Sequence, residues 1–321
     1  MRHSRPRLAL GLSVLTAAAI ALTGCSAAAD ATTDAEMTTV TDETGQVSVP
    51  VSPKAAIGFY STDVDMLATL GIPLNGTQPV RGANGYDAFP AYFPDEVESV
   101  ETFGNFPEYN FEALLAARPD FILNGLGYDT DATAKLQTIA PTYTYNGFDG
   151  TDWRDKFKEA AKQLGREKQY QAWADKYQAK VDEVKAELAA RGIDPVVAPV
   201  SYDPAEGMVN TSCYGTPCLV LADLGLRISP LAEGEEGTTL SLEQLDQLAG
   251  IDIAFTSVVV NEAEQAAADQ GLADLKAANS AWAALPFIAN DQYFGYDLEM
   301  IYGSPSGQYA LLETIEQALL G

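Results

Sequence analysis

One stretch decides how this chain is organised: residues 153–191, with the sequence WRDKFKEAAKQLGREKQYQAWADKYQAKVDEVKAELAAR. Apart from Gly165 it contains no glycine or proline, and five apolar residues follow a single stripe at helical spacing: Trp173, Tyr177, Val181, Val184 and Leu188. This pattern predicts a long helix. At about 1.5 Å per residue, the part after Gly165 alone would span roughly 40 Å. We expect residues 151–191 to join two lobes as a rigid strut; a surface helix within one domain is the alternative.

The sequence on both sides of this stretch alternates between short apolar runs and amphipathic helical patterns. Six runs are predicted as strands: residues 55–59, 121–124, 142–145, 196–202, 251–256 and 292–296. Strands that alternate with helices indicate an α/β fold with mainly parallel sheets. The roughly 280 residues from Gly45 onward exceed a typical single core. We therefore expect an N-terminal lobe at residues 45–150 and a C-terminal lobe at 192–321.

The N-terminus has the features of a secretion signal. Three arginines precede an apolar stretch of about 15 residues, which is too short to span a membrane as a helix. The stretch runs into Leu22-Thr23-Gly24-Cys25, which resembles the lipobox of bacterial lipoproteins. Residues 1–24 are thus expected to be removed and Cys25 to carry lipid, although an ordinary signal with a coincidental cysteine is the alternative. Residues 25–44 are small, polar and acidic, and are predicted to form a flexible tether.

The charge of the mature chain excludes several functions. Three of the 19 basic residues lie in the signal and none of the 45 acidic ones does, which leaves 16 against 45 and a net charge of −29. Such a surface repels nucleic acid. It also leaves membrane attachment to the lipid. The negative charge indicates either a preference for a cationic ligand or solubility at a crowded cell surface.

Histidine and cysteine usage narrows the chemistry further. His3, the only histidine, leaves with the signal. The mature chain therefore cannot form His-rich zinc or copper sites, or a Ser-His-Asp triad. Cys213 and Cys218 flank Tyr-Gly-Thr-Pro and are expected to form a disulfide outside the cell. A reactive thiol or a metal-binding pair is the alternative.

Two segments on opposite sides of the strut resemble one another. Asn110-Phe111-Glu112-Ala113-Leu114 and Ser241-Leu242-Glu243-Gln244-Leu245 each place a capping residue before a glutamate, and a strand pattern follows. Both predict a short helix with a carboxylate in its first turn, where the helix dipole favours negative charge. Matching exposed carboxylates on two lobes would also suit docking onto a two-fold partner.

The order of the segments closely resembles the iron-siderophore class of ABC-transporter substrate-binding proteins, over essentially the whole chain from Gly45. The segments that carry the resemblance are 110–123 (NFEALLAARPDFIL), 139–142 (IAPT), 164–167 (LGRE), 241–245 (SLEQL), 282–286 (WAALP) and 302–306 (YGSPS). The resemblance implies the class III periplasmic binding protein fold, in which a single long helix joins two α/β lobes and the ligand lies between them. It also implies that one glutamate per lobe meets arginines of the permease dimer. In this chain these are Glu112 and Glu243.

Candidate ligand contacts follow from strand ends, since ligands of open α/β sheets gather beyond the carboxyl ends of the strands. Ferric siderophores combine polar oxygens with apolar arms, which suits aromatic faces and a few donors. Arg81 is the expected donor to the iron-bound oxygens, because its planar fork can bridge two of them. The predicted ligand-binding set is Tyr60, Arg81, Tyr86, Tyr128, Tyr202, Tyr214 and Tyr302.

These observations predict a monomeric binding protein on the outer face of the bacterial cytoplasmic membrane. It would deliver a ferric siderophore to an ABC permease without a cofactor, without a directly bound metal and without catalysis. Haem, held by a tyrosine or methionine, cobalamin and bare ferric ion remain alternative cargoes. A secreted carboxylate-based hydrolase is an alternative of another class, although no carboxylate pair or Gly-x-Ser-x-Gly motif stands out. A structural or signalling lipoprotein is a third.

Overall fold

The computed structural model describes residues 35–82, 85–234, 236–259 and 261–321. The predicted signal peptide, Cys25 and the first part of the predicted tether lie outside these residues. Residues 35–321 form one compact unit, in which two α/β lobes follow one another along the chain.

The N-terminal lobe is built on a three-stranded parallel sheet in the order β3-β6-β7, with a parallel pair β4-β5 and an antiparallel hairpin β1-β2 beside it. Its strands are β1 (Met37–Asp42), β2 (Gly45–Pro50), β3 (Ala56–Gly58), β4 (Thr77–Val80), β5 (Glu101–Gly104), β6 (Phe121–Asn124) and β7 (Thr142–Thr144). Its helices are α1 (Ser61–Thr69), α2 (Phe111–Ala117) and α3 (Thr130–Ile139), and a 3-10 helix lies at Asp95–Val97. The strands β3, β6 and β7 are buried along their whole length. This burial explains why their sequences are apolar runs rather than alternating patterns.

The predicted strut consists of two helices, α4 (Trp153–Gln163) and α5 (Glu167–Arg191). The break falls at Gly165, which has a φ of +65°. The N–H of Arg166 donates to Ala161 O at 2.6 Å across this turn, as glycine-terminated helices do. The prediction of one helix from 151 to 191 is therefore wrong at Gly165, while the 25-residue α5 is the long helix expected after it.

Helix α5 contacts the cores of both lobes. Trp173 and Tyr170, near its start, pack against the N-terminal cluster around Phe157. The buried stripe Tyr177, Val181, Val184 and Leu188 belongs to the C-terminal cluster. The stripe predicted from the sequence is thus the face through which α5 joins the two lobes.

The C-terminal lobe contains a four-stranded parallel sheet, β11-β8-β13-β14, and a three-stranded antiparallel sheet, β12-β10-β9. Its strands are β8 (Val196–Pro199), β9 (Ser201–Asp203), β10 (Met208–Thr211), β11 (Arg227–Ile228), β12 (Thr238–Ser241), β13 (Ile253–Val258) and β14 (Tyr293–Asp297). Its helices are α6 (Thr216–Asp223), α7 (Glu262–Ala278), α8 (Ser280–Ala283), α9 (Pro286–Ala289) and α10 (Pro305–Leu320), with 3-10 helices at Pro230–Ala232, Leu245–Gly250 and Leu298–Tyr302. The predicted α/β fold with mainly parallel sheets is confirmed.

Two local expectations are wrong. The tether predicted to reach residue 44 does not, because Met37–Asp42 is a strand that pairs with Gly45–Pro50 along its full length. The helix predicted at Ser241 does not form there, because Ser241 is the last residue of β12 and pairs with Met208. A 3-10 helix begins only at Leu245. In both places strand pairing overrides the local sequence preference.

Candidate functional site

The two lobes meet in a cleft at the carboxyl ends of their parallel strands. On the N-terminal side, the loop after β7 supplies its wall, from Gly147 to Trp153. On the C-terminal side, the wall is formed by Cys213–Thr216 and by Ile301 and Tyr302. The cavity between them has a volume of about 280 Å³. This is the position at which open α/β sheets bind ligands.

The cleft continues into the C-terminal lobe. A neighbouring cavity of about 330 Å³ shares Tyr214 and Ile301 with the first. Its other walls come from the ends of β8, β10, β13 and β14, and are rich in hydroxyl and amide groups. Together the two cavities fall within the size range of small-molecule sites.

Phe148 is the most exposed aromatic residue of the N-terminal wall. Its side chain is 40% exposed, and its ring lies edge-on to Tyr128, with centroids 5.7 Å apart. The Tyr60 ring is 6.4 Å away on the other side. Sequence reasoning missed Phe148 and the loop that carries it. Their signal was present, since residues 147–153 directly follow a predicted strand.

The loop between Cys213 and Cys218 forms much of the C-terminal wall. The two cysteines are joined by a disulfide, with their Cα atoms 5.2 Å apart, so the predicted pairing is confirmed. Between them, Gly215 has a φ of +72°, and a Cβ there would lie 2.2 Å from Ile301 O. The Thr216 hydroxyl donates to the same carbonyl at 3.3 Å. The crosslinked loop therefore packs directly on the segment that carries Tyr302.

A buried ion pair between Arg81 and Glu299 lies behind Tyr302 and joins the two lobes. The Arg81 Nε donates to both Glu299 oxygens, at 2.9 and 3.1 Å, and the Ser61 hydroxyl donates to Glu299 as well. The guanidinium carbon of Arg81 lies 3.8 Å from the Tyr302 ring centre and 4.9 Å from that of Tyr60. Burial disfavours the charged guanidinium and is the largest single effect, but the charge and hydrogen bonds of Glu299, together with the two tyrosines, outweigh it and raise the pKa of Arg81.

A second buried carboxylate, Asp63, lies behind the N-terminal wall of the cleft. It accepts hydrogen bonds from the Tyr145 hydroxyl at 2.7 Å and from the Gly125 N–H at 3.0 Å. Burial raises the pKa of Asp63 to about 7, and the two hydrogen bonds only partly oppose the shift. A Cβ at Gly147, in the cleft wall, would lie 3.4 Å from the Tyr60 hydroxyl and 3.5 Å from the Tyr145 ring. Asp63 thus helps to hold the two tyrosines that back this wall.

The structure distributes the predicted ligand residues unevenly. Tyr214 and Tyr302 line the cleft. Tyr60 and Tyr128 contact Phe148, which also lines it. Contact with a ligand stays a prediction for all four.

Tyr60 is only 3% exposed and lies behind the lining of the cavities, not in it. Three other predicted residues are also absent from that lining. Arg81 is only 2% exposed and is already paired with Glu299, so its assignment as the donor to iron-bound oxygens does not fit this conformation. Tyr86 is 6% exposed, and its hydroxyl donates to Asp297. Tyr202 packs into the C-terminal core near Trp282. A strand end brings a residue to the correct edge of a sheet, but packing decides whether its side chain faces solvent.

The two glutamates predicted for docking are both exposed. Glu112 lies in the first turn of α2, where the Asn110 side chain accepts a hydrogen bond from the Ala113 N–H at 3.0 Å. Glu243 lies in a turn between β12 and the 3-10 helix that follows. Both glutamates are therefore exposed, but only Glu112 lies in the first turn of a helix, as was expected for both.

A larger cavity, of about 620 Å³, lies elsewhere on the molecule. It is lined mainly by the sides of α5 and α10, with Tyr92 and Thr69 from the N-terminal lobe. Apart from Tyr92, which lies in the long segment after β4, its described lining residues lie on helices and not in loops at the carboxyl ends of parallel strands. Position relative to the sheets therefore favours the smaller cleft as the ligand site.

Two features are absent from the described residues. Within them, no group of three or more Cys, Asp, Glu or His side chains is arranged to hold a metal ion. In the same residues no helix has the length and apolar character needed to cross a membrane.

Solved structures share this architecture. The staphyloferrin B complex of SirA from Staphylococcus aureus aligns with a TM-score of 0.70 at 19% identity, covering 88% of this chain and 98% of SirA. FhuD from Vibrio cholerae, solved with Fe3+-Desferal, aligns with a TM-score of 0.64 at 22% identity, covering 84% and 98% of the two chains. At these identities the likeness establishes the fold.

Sequence comparison identifies relatives of similar length. The iron-uptake system-binding protein of Bacillus subtilis is 23% identical over 260 residues, which cover 79% of this chain and 77% of the relative. The Fe(3+)-citrate-binding protein YfmC of the same organism is 23% identical over 304 residues, or 92% and 91% of the two chains. The model of the periplasmic binding protein family matches residues 59–299. The chain therefore belongs to the periplasmic binding protein family.

Proposed function

We propose that this protein is the extracytoplasmic substrate-binding lipoprotein of an ABC importer, and that it captures a ferric siderophore in the cleft between its lobes. One observation carries the proposal: an aromatic cleft, walled by both lobes, at the carboxyl ends of the parallel strands. Tyr214, Tyr302 and Phe148 offer flat apolar faces to the arms of a chelate. The hydroxyl-rich extension toward β13 offers hydrogen bonds to its oxygens.

The names of the relatives support this cargo. One is named for iron uptake, one for ferric citrate, and a third is named a probable siderophore-binding lipoprotein. All three names describe binding proteins, which favours capture over catalysis for this chain.

Docking and anchoring complete the proposal. Glu112 and Glu243, both exposed and one on each lobe, would meet arginines of the two permease subunits. A lipid on Cys25 would hold the monomer at the outer face of the cytoplasmic membrane.

A titration of the mature protein tests the cargo. Trp153 lines the cleft, so its fluorescence should respond when a ferric chelate binds. We expect saturable quenching, with one ligand per chain, by at least one ferric siderophore among hydroxamate, catecholate and citrate complexes. Saturation by haem or cobalamin alone would replace the cargo, and no response to any of them would refute siderophore capture.

A matched pair of variants tests which of the two cavities holds the cargo. Tyr214→Ala removes a wall of the cleft, whereas Tyr309→Ala makes the same change in the larger cavity beside α5. We expect Tyr214→Ala to weaken the chelate about tenfold, as loss of an aromatic face does, and Tyr309→Ala to bind as the wild type does. The reverse result would move the site to the larger cavity.

A further inference from the structure

The described residues that line the cleft include no cationic side chain. Among the described residues that line its two cavities, none is lysine or arginine, and Asp152 is the one carboxylic acid. The 16 basic residues of the mature chain lie elsewhere. An anionic ligand in this cleft would therefore meet no exposed positive charge on its walls.

The arginine next to Tyr302 of the cleft wall is neutralised by a buried carboxylate. Arg81 lies behind the ring of Tyr302, and its charge is matched by Glu299 at 2.9 Å. Its side chain is 1% exposed and that of Glu299 is 3% exposed. Releasing Arg81 to a ligand would leave Glu299 buried and unpaired, which is costly.

The two cations next to the N-terminal wall are outnumbered by carboxylates. Arg154 contacts Asp152 at 2.6 Å and Asp223 at 2.8 Å. In the same way, Lys156 contacts Glu43 at 2.7 Å and Asp149 at 2.6 Å. Two positive charges are thus paired with four negative ones beside the cleft. The result is a negative potential at the mouth of the cleft, in agreement with the mature net charge of −29.

Ferric siderophores differ in charge according to their chelating groups. Three hydroxamates, each with a single negative charge, cancel the charge of ferric iron and leave a neutral core, and a free amine on the ligand makes the whole complex positive. Three catecholates, each doubly charged, leave a strongly negative complex, and citrate complexes are also anionic. A cleft with a negative rim and no exposed cation disfavours the last two classes by Coulomb repulsion.

We propose that this cleft selects ferric hydroxamates, neutral or positively charged, and discriminates against anionic ferric catecholates and carboxylates. The inference rests on the proposed function and deepens it by naming the class of chelate. The lining supports it further, because Ser201, Asn210, Thr256 and Ser257 provide neutral polar groups. Hydroxyl and amide groups of this kind can both donate to chelate oxygens and accept from amide or ammonium groups.

One hydroxamate chelate in three charge states gives the direct test. The mature protein is titrated with the ferric complex of desferrioxamine B whose terminal amine is free, acetylated or succinylated, so that the iron core stays the same while the net charge is positive, neutral or negative. We expect the first two to bind and the succinylated form to bind about tenfold more weakly. The gap should narrow at high salt, since screening weakens the repulsion.

A matched pair of variants tests the role of the cleft wall itself. Thr151→Lys adds a cation to an exposed lining residue, and Thr138→Lys adds the same charge near the end of α3, outside both cleft cavities. We expect Thr151→Lys to strengthen binding of the succinylated complex and of ferric citrate about tenfold. Thr138→Lys should leave both affinities close to those of the wild type.

The outcomes separate this inference from the function on which it rests. If ferric enterobactin or ferric citrate binds more tightly than every hydroxamate complex, the charge selection is wrong while siderophore capture stands. Equal affinities for the three desferrioxamine forms would likewise refute it. If no ferric chelate binds at all, both proposals fall together.

Discussion

The two lobes hold their sides of the cleft by different means. Behind the N-terminal wall lie buried polar contacts, in which Asp63 accepts from Tyr145 and Gly125. The C-terminal wall is held by a covalent crosslink, the Cys213–Cys218 disulfide, and by the close fit of Gly215 against Ile301. Only the first of these depends on a group whose charge changes near neutral pH. The lobes therefore occupy equivalent positions but should respond differently to pH and to reduction.

The outer surfaces show the same contrast. Both lobes expose a glutamate in the middle of a similar pentapeptide, yet Glu112 lies on a capped helix and Glu243 in a turn after a strand. The exposed carboxylate is common to both lobes and the local structure is not. A partner that needs only a charge in the correct place would not detect the difference.

The largest expected effect tests whether the two lobes are equivalent for a permease. Changing both Glu112 and Glu243 to alanine should abolish uptake of the ferric chelate in cells while leaving its affinity unchanged, because both side chains lie outside the cleft cavities. Each single variant should retain partial uptake. Complete loss from one single variant would break the equivalence, and a loss of affinity would place that glutamate at the ligand.

The junction between the lobes should be the most sensitive point for stability. Arg81→Met leaves Glu299 buried without its partner and should lower the free energy of unfolding by about 3–5 kcal/mol, as measured by chemical denaturation. The double variant Arg81→Met/Glu299→Leu removes both charges and should recover much of this loss. If the double variant is as unstable as the single one, packing at Arg81 matters more than its charge.

The pH dependence of stability sharpens the contrast between the two walls. The folded-state pKa of Asp63 is raised to about 7, so between about pH 4 and pH 7 the folded protein keeps a proton that the unfolded chain has lost. Stability from this group is present below the unfolded pKa and is lost as the pH rises to 7. In Asp63→Asn the amide can accept from Gly125 and donate to Tyr145. The free energy of unfolding of the wild type should fall by at most about 4 kcal/mol between pH 4 and pH 7. That of the variant should lack this decline, as measured by chemical denaturation at each pH.

Loss of the disulfide should affect the C-terminal wall. Changing Cys213 and Cys218 together to serine should lower the free energy of unfolding by only about 2 kcal/mol, since the closed loop is short. We also expect weaker chelate binding, because the loop presents Tyr214 and supports Ile301 and Tyr302. Unchanged affinity in the folded serine variant would show that the crosslink contributes stability alone.

The smallest expected effect is a difference in stability between variants of the two glutamate segments. Asn110→Ala removes the acceptor for the Ala113 N–H and should cost about 1 kcal/mol in unfolding free energy. Ser241 does not cap a helix, and its hydroxyl bonds the exposed Gln244 side chain. Ser241→Ala should therefore change stability by less than about 0.5 kcal/mol. Equal losses would mean that the hydroxyl of Ser241 stabilises its turn as well as Asn110 caps its helix.

Much of the fold could be read from local patterns. The strands predicted at 121–124 and 142–145 agree to within one residue with Phe121–Asn124 and Thr142–Thr144 of the structure, because strands buried on both faces are continuous apolar runs. The buried face of α5 was predicted from an apolar stripe at helical spacing. Strands β1, β2 and β10 were missed, since they are short or half exposed, and β9 was merged with β8 in the strand predicted at 196–202. Their pairing partners, rather than their own apolar content, hold them in place.

By itself, the sequence determined the alternation of strands and helices, the long α5, the family and the Cys213–Cys218 pairing, because each depends on residues close together in the chain or on their order along it. Only the tertiary structure decided which side chains face the cleft. Arg81 lies beside Glu299, 218 residues away in sequence, and this contact removes it from the cleft surface. Phe148 becomes part of the wall because its loop meets the crosslinked loop of the other lobe. Charge pairing and packing between distant segments are set by how the lobes come together, which no local pattern records.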